Sequence, residues 1–139
     1  MPLVVTDAAE RSALETWLRV EQDERPANLG LFTNNYVPVA GSTLAALTEA
    51  TFLGYALKVL APEVWTTPVT QAGRAVSQYG EVAQSWTNTG EETQRVYGYF
   101  ILSFDGTLLV WLERWAAFVD VAPGGTISVL PVLTARSEF

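Results

Sequence analysis

The spacing of apolar and polar positions changes near residue 26, and the change divides the chain in two. Ahead of it, Ala13, Leu14, Trp17 and Leu18 recur three and four residues apart, with Glu10, Arg11, Glu15 and Arg19 on the opposite side. That is the stripe of an amphipathic helix. Asp7 can cap the first free amides while Glu10, three residues on, reaches back to it, so a helix is predicted over residues 6–20. The charged stretch Glu21-Gln22-Asp23-Glu24-Arg25 then runs into Pro26, which cannot continue a helix, and reads as a solvated connection.

Beyond it, β-branched and aromatic residues come in short runs separated by turn residues. Residues 29–33 read as a strand ended by Asn34-Asn35. A loop through Pro38, Gly41 and Ser42 leads to one helical turn at Leu44-Ala45-Ala46-Leu47. Residues 54–60, 69–75 and 82–87 read as further strands. The strongest pairing signal joins 96–103 to 107–114 about Asp105-Gly106, a dipeptide suited to a tight turn. Both arms of this hairpin are almost continuously apolar, which predicts cover on both faces, inside a sandwich or against a neighbouring subunit. Pro123-Gly124-Gly125 turns the chain into a last strand over 126–134, where Ile127, Val129 and Leu133 share a face and Pro131 marks an edge or bulge. The whole predicts a single mainly β domain over residues 1–139, an antiparallel β-sandwich or jelly-roll-like domain at 28–135 with an N-terminal α-helix.

Composition narrows the function. Charged residues make up 17% of the 139, against about 25% in an average domain, so the surface has little charge to spread and some apolar surface is expected to meet a partner. The net charge of −7 repels a phosphate backbone, and the eight basic residues are scattered, which argues against nucleic acid and against an anionic membrane. There is no cysteine and no histidine. Disulfides, thiolate nucleophiles, the usual neutral-pH base and the commonest metal ligand go with them, so no enzyme, cofactor or metal is expected. The N-terminus has no basic leader with a long apolar stretch, and no apolar run approaches the roughly 20 residues of a membrane-crossing helix.

Few residues are candidates for chemistry. Trp111, Glu113 and Trp115 alternate, so in a strand two indoles flank a carboxylate, as sugar sites often require; equally, the indoles fill a core or interface while Glu113 pairs with Arg114 or Arg95. Trp17, on the helix stripe, and Trp86 complete the set for interface contact or glycan stacking. Glu91-Glu92, Glu81 and Asp105 have no spacing that supports a hydrolase pair, and Asp23-Glu24 lacks a calcium loop's pattern. Ser42, Ser77, Ser85 and Ser103 sit in no nucleophile elbow. Lys58 lies in an apolar run and is expected to carry its head out to water.

The order of several pieces carries a resemblance: Leu31-Phe32-Thr33-Asn34-Asn35 with Pro38; Leu47-Thr48-Glu49-Ala50-Thr51-Phe52 with Gly54-Tyr55; Ser85-Trp86-Thr87-Asn88; Val96-Tyr97-Gly98-Tyr99-Phe100; and Trp111 with Glu113-Arg114-Trp115. In these the chain resembles a family of small proteins encoded by tailed bacteriophages and prophages. The resemblance implies a virion structural component, made in the host cytoplasm. Its best expectation is a capsid decoration or cement protein that contacts capsid subunits and is a homo-oligomer, with a trimer as the number such proteins suggest. It supplies no catalytic residue. The alternative it leaves is a tail or fibre component with a carbohydrate-binding β-sandwich module, stacking sugars on Trp111, Trp115 and Trp86.

Overall fold

The structure, a computed structural model, describes residues 27–39, 41–61, 64–72, 74–81, 83–103 and 106–135. The helix expected at 6–20, with Trp17, lies outside the described residues, as do Asp23-Glu24 and Asp105. Among the described residues the fold is mainly β with antiparallel pairing, and a 3-10 turn forms at Leu44–Ala46, where the sequence signals a turn. The strands are β1 (Ala27–Phe32), β2 (Lys58–Leu60), β3 (Val69–Gln71), β4 (Arg74–Gln78), β5 (Gln84–Thr87), β6 (Gln94–Leu102), β7 (Leu109–Val121), β8 (Thr126–Val129) and β9 (Val132–Ala135). The chain gathers into two compact units, one from Ala27–Val59 and Gln84–Val129, the other, so far as it is described, from 60–83 and 130–135.

The first unit is built on a sheet ordered β2-β1-β6-β7. β1 and β6 pair antiparallel from Asn28↔Leu102 to Phe32↔Gly98. Leu29, Leu31, Tyr99 and Ile101 are buried on one face, and Phe32, Phe100 and Leu102 on the other. Cover on both faces explains why these runs do not alternate. On the second face Tyr36, Leu44, Leu47, Leu109 and Leu112 pack against Phe32, Phe100 and Leu102, each of which contributes roughly 1.5–3 kcal/mol by leaving water. β5 and β8 form a separate ribbon that does alternate. Trp86 and Ile127 are buried and opposed, while the hydroxyl pairs Ser85–Ser128 (2.8 Å) and Thr87–Thr126 (2.9 Å) lie on the exposed face.

Three side-chain amides tie the loops to these strands. Asn34 donates to the Ala46 carbonyl (2.9 Å) and accepts from the Thr48 amide (2.8 Å), which carries 48–50 alongside β1 so that the Ala50 amide reaches the Leu31 carbonyl. The Oε1 of Gln94 accepts from the amides of Thr51 (2.8 Å) and Phe52 (3.0 Å). Asn88, fully buried, donates to the carbonyls of Glu92 (2.7 Å) and Val121 (2.9 Å) and accepts from the Gly90 amide (2.9 Å). A buried amide with both donors and its oxygen engaged is rigid, because any other rotamer strands polar groups.

In the second unit β3 and β4 form a hairpin, Gln71↔Arg74, and β9 pairs with β4. Here the expected strand 69–75 is corrected: it is two strands with a turn at Ala72, whose φ of 50° is left-handed. The expected strand 126–134 is likewise two, β8 and β9. They are separated at Leu130-Pro131; the Pro131 carbonyl accepts from the Tyr79 amide (2.9 Å), and Pro131 directly precedes β9, an edge strand of its sheet. Trp65 and Tyr79 pack edge to face at 5.2 Å, and the Tyr79 hydroxyl accepts from the Ala61 amide (2.9 Å). The expected strand 54–60 survives only as β2, because Gly54 takes a φ of 98°.

Candidate functional site

β7 presents a long exposed surface with apolar residues in it. It runs thirteen residues along the outer side of β6, and from Ala116 to Asp120 every residue is exposed. Within the chain, the cover expected on both faces is found on β6 from Tyr99 to Leu102, whereas in the arm expected at 107–114 residues 109–112 are half-buried and the others exposed. The exposed stretch includes Phe118 (46%) and Val119 (40%), with Leu108 (59%) just before the strand. An exposed apolar edge strand is a ready template for another protein surface.

The hairpin that carries it is closed by a longer loop than a two-residue turn. The Ser103 amide donates to the Leu108 carbonyl (2.9 Å), the Ser103 Oγ accepts from the Leu108 amide (3.1 Å), and Gly106 sits at φ 75°. From Leu102↔Leu109 the register slips once to Ile101↔Trp111, and again beyond Gly98↔Arg114. There Val119 and Arg114, five residues apart, stand opposite Val96 and Gly98, two apart. The strand is irregular over 115–118, where no pair of the β6 register falls. Gly98 makes the crossing possible: a Cβ there would fall against the Glu113 carbonyl and within 2.7 Å of the Phe32 ring.

The bulge assembles a cluster at the far end. Arg95 grips Asp120 with two hydrogen bonds, Nε to Oδ1 (2.8 Å) and Nη2 to Oδ2 (3.2 Å), and lays its guanidinium 3.7 Å from the centre of the Phe118 ring. Tyr97 packs on the same ring at 5.9 Å. The hydrogen bond from Arg95 holds the Asp120 carboxyl below its ordinary range. Arg95 is thus committed to Asp120, which corrects the expected pairing of Glu113 with Arg95.

The predicted aromatic set separates. Trp111 and Trp115 are half-buried on β7, with exposed Glu113 between them, opposite Tyr99; the Trp115 ring lies 6.4 Å from that of Tyr99. The Trp111 indole N–H is buried with no partner among the described residues, so the polar edge of this ring faces inward. Trp86 is 2% exposed. Its N–H donates to the Ala56 carbonyl (2.7 Å), Tyr55 stacks on it at 6.1 Å, and the Lys58 Nζ sits 5.7 Å from its ring centre, which leaves no face for a sugar. Lys58, half-buried, thus lies over the Trp86 indole.

Other polar groups serve the scaffold. The Tyr55 hydroxyl donates to Glu49 (2.9 Å) and accepts from the Leu31 amide (3.2 Å); burial first, then the neighbouring Glu49 carboxylate, push its pKa up. Ser77 is buried and donates to the Thr66 carbonyl (2.7 Å). Glu91 and Glu92 are exposed in a loop and line a cleft of about 240 Å³ with Phe52, Leu53 and Gln94. Among the described residues no cluster of three or more acidic groups is placed to hold a metal ion, and no helix is long and apolar enough to cross a membrane.

Fold and surface together define an antiparallel β protein with an exposed apolar outer strand. No known family model matches the chain, and no curated protein matches it.

Proposed function

We propose that this chain is a structural protein of a tailed-phage virion, a decoration or cement protein that works through contact area and performs no catalysis. In this reading the described strands of the larger unit are layers of a β-sandwich, since both faces of β1 and β6 are buried. The observation that carries it is β7, an outer strand whose exposed residues include Phe118, Val119 and two alanines while the charged pair nearby is spent internally. A sequence without histidine or cysteine and the motif order shared with phage proteins point the same way. Partners are then capsid subunits and further copies of the chain. Quantitative mass spectrometry of purified particles tests it. A copy number close to that of the shell subunit is expected; a handful of copies assigns the chain to the tail, and its absence from particles refutes the virion role.

The half-buried indoles of Trp111 and Trp115 around exposed Glu113 favour one second reading, a sugar-binding module of a tail or fibre. Tryptophan emission distinguishes them. In the second reading it shifts on titration with oligosaccharides and the shift vanishes in Trp115→Ala; in the first it does not move.

A further inference from the structure

We draw no further inference here: the strongest candidate, the exposed apolar patch along the outer edge of strand β7 around Phe118 and Val119, carries nothing more because nothing in the structure shows what covers it.

Discussion

Replacing Asn88 with alanine removes a fully buried amide that makes three hydrogen bonds. The substitution strips the bonds to the Glu92 and Val121 carbonyls and from the Gly90 amide. The contact with Val121 is fully buried, so its loss falls at the upper part of the roughly 1–3 kcal/mol cost of stranding a buried polar group. Glu92 and Gly90 lie at a partly exposed loop where water can replace the amide, at about 0.5 kcal/mol each. The expected loss is therefore about 3 kcal/mol, which lowers the thermal midpoint by about 10 °C for a chain of this size. Asn34→Ala also removes two bonds to backbone, but around solvent-accessible partners, and should cost only about 1 kcal/mol. Urea unfolding followed by tryptophan emission measures both. Hydrogen exchange adds a local signature: in Asn88→Ala the Gly90 amide loses protection, while the Gly124 amide, bonded to the Asn88 backbone carbonyl, keeps more of it. A loss below about 1 kcal/mol for Asn88→Ala, or equal losses for the two variants, would refute the weighting by burial.

Other substitutions read other parts of the fold. Gly98→Ala forces a methyl against the Glu113 carbonyl and the Phe32 ring, and is expected to cost about 3 kcal/mol in a thermal melt, whereas Gly41→Ala, which meets nothing within 4 Å, should stay within about 0.5 kcal/mol. Ala72→Asn suits a left-handed turn position better than alanine and should raise stability by about 0.5–1 kcal/mol; a lower melting point would count against the turn. Because Asp120 titrates below its unfolded value, its contribution to stability is present above the ordinary carboxylate pKa and is lost as pH falls through the depressed folded one. Carboxyl NMR should show this low titration and its return to the ordinary range in Arg95→Gln; an unmoved Asp120 pKa would show that Arg95 is not its cause.

The sequence was legible where local signals agreed and illegible where they were overridden across strands. The hairpin and the helical turn expected at 44–47 follow from turn residues and apolar runs and are present, and the strand expected at 82–87 is described over Gln84–Thr87. The Arg95–Asp120 pair was hidden by arithmetic. Carried on unbroken from Leu102↔Leu109, the register would set Arg95 opposite Ala116, and only the two slips bring Asp120 to it. This bulge leaves no local mark in composition, so neither the cluster on Phe118 nor the register break at 115–118 is legible in the sequence. The turn at Ala72 was missed because alanine is not a turn signal, and the break at Pro131 because an apolar run continues through it. Trp86 looked like a stacking platform by residue type alone; the alternation Ser85-Trp86-Thr87 already placed it opposite two hydroxyl side chains, on the face that is buried.

The residues that carry the phage resemblance turn out to be neighbours. Asn34 holds Thr48, and Glu49 bridges to Phe32; Gly54 lies so close to the Thr87 carbonyl that a side chain would not fit; Trp86 reaches Ala56; Gly98 lets β7 cross over Phe32. These pieces, dispersed in sequence, are the joints between loops and strands of one unit. Each joint requires its own side chain or its own lack of one. The stretch of β7 from Ala116 to Val119 joins no loop to a strand: it is exposed, with the Phe118 ring packed against Arg95 and Tyr97, and on the function proposed above it is where the contact falls. Placing the contact there makes the scaffold and contact roles separable by substitution. Phe118→Ser should leave folding nearly intact and weaken attachment to particles, while Gly98→Ala should weaken both through stability alone. Full retention of Phe118→Ser on particles would remove β7 from the contact.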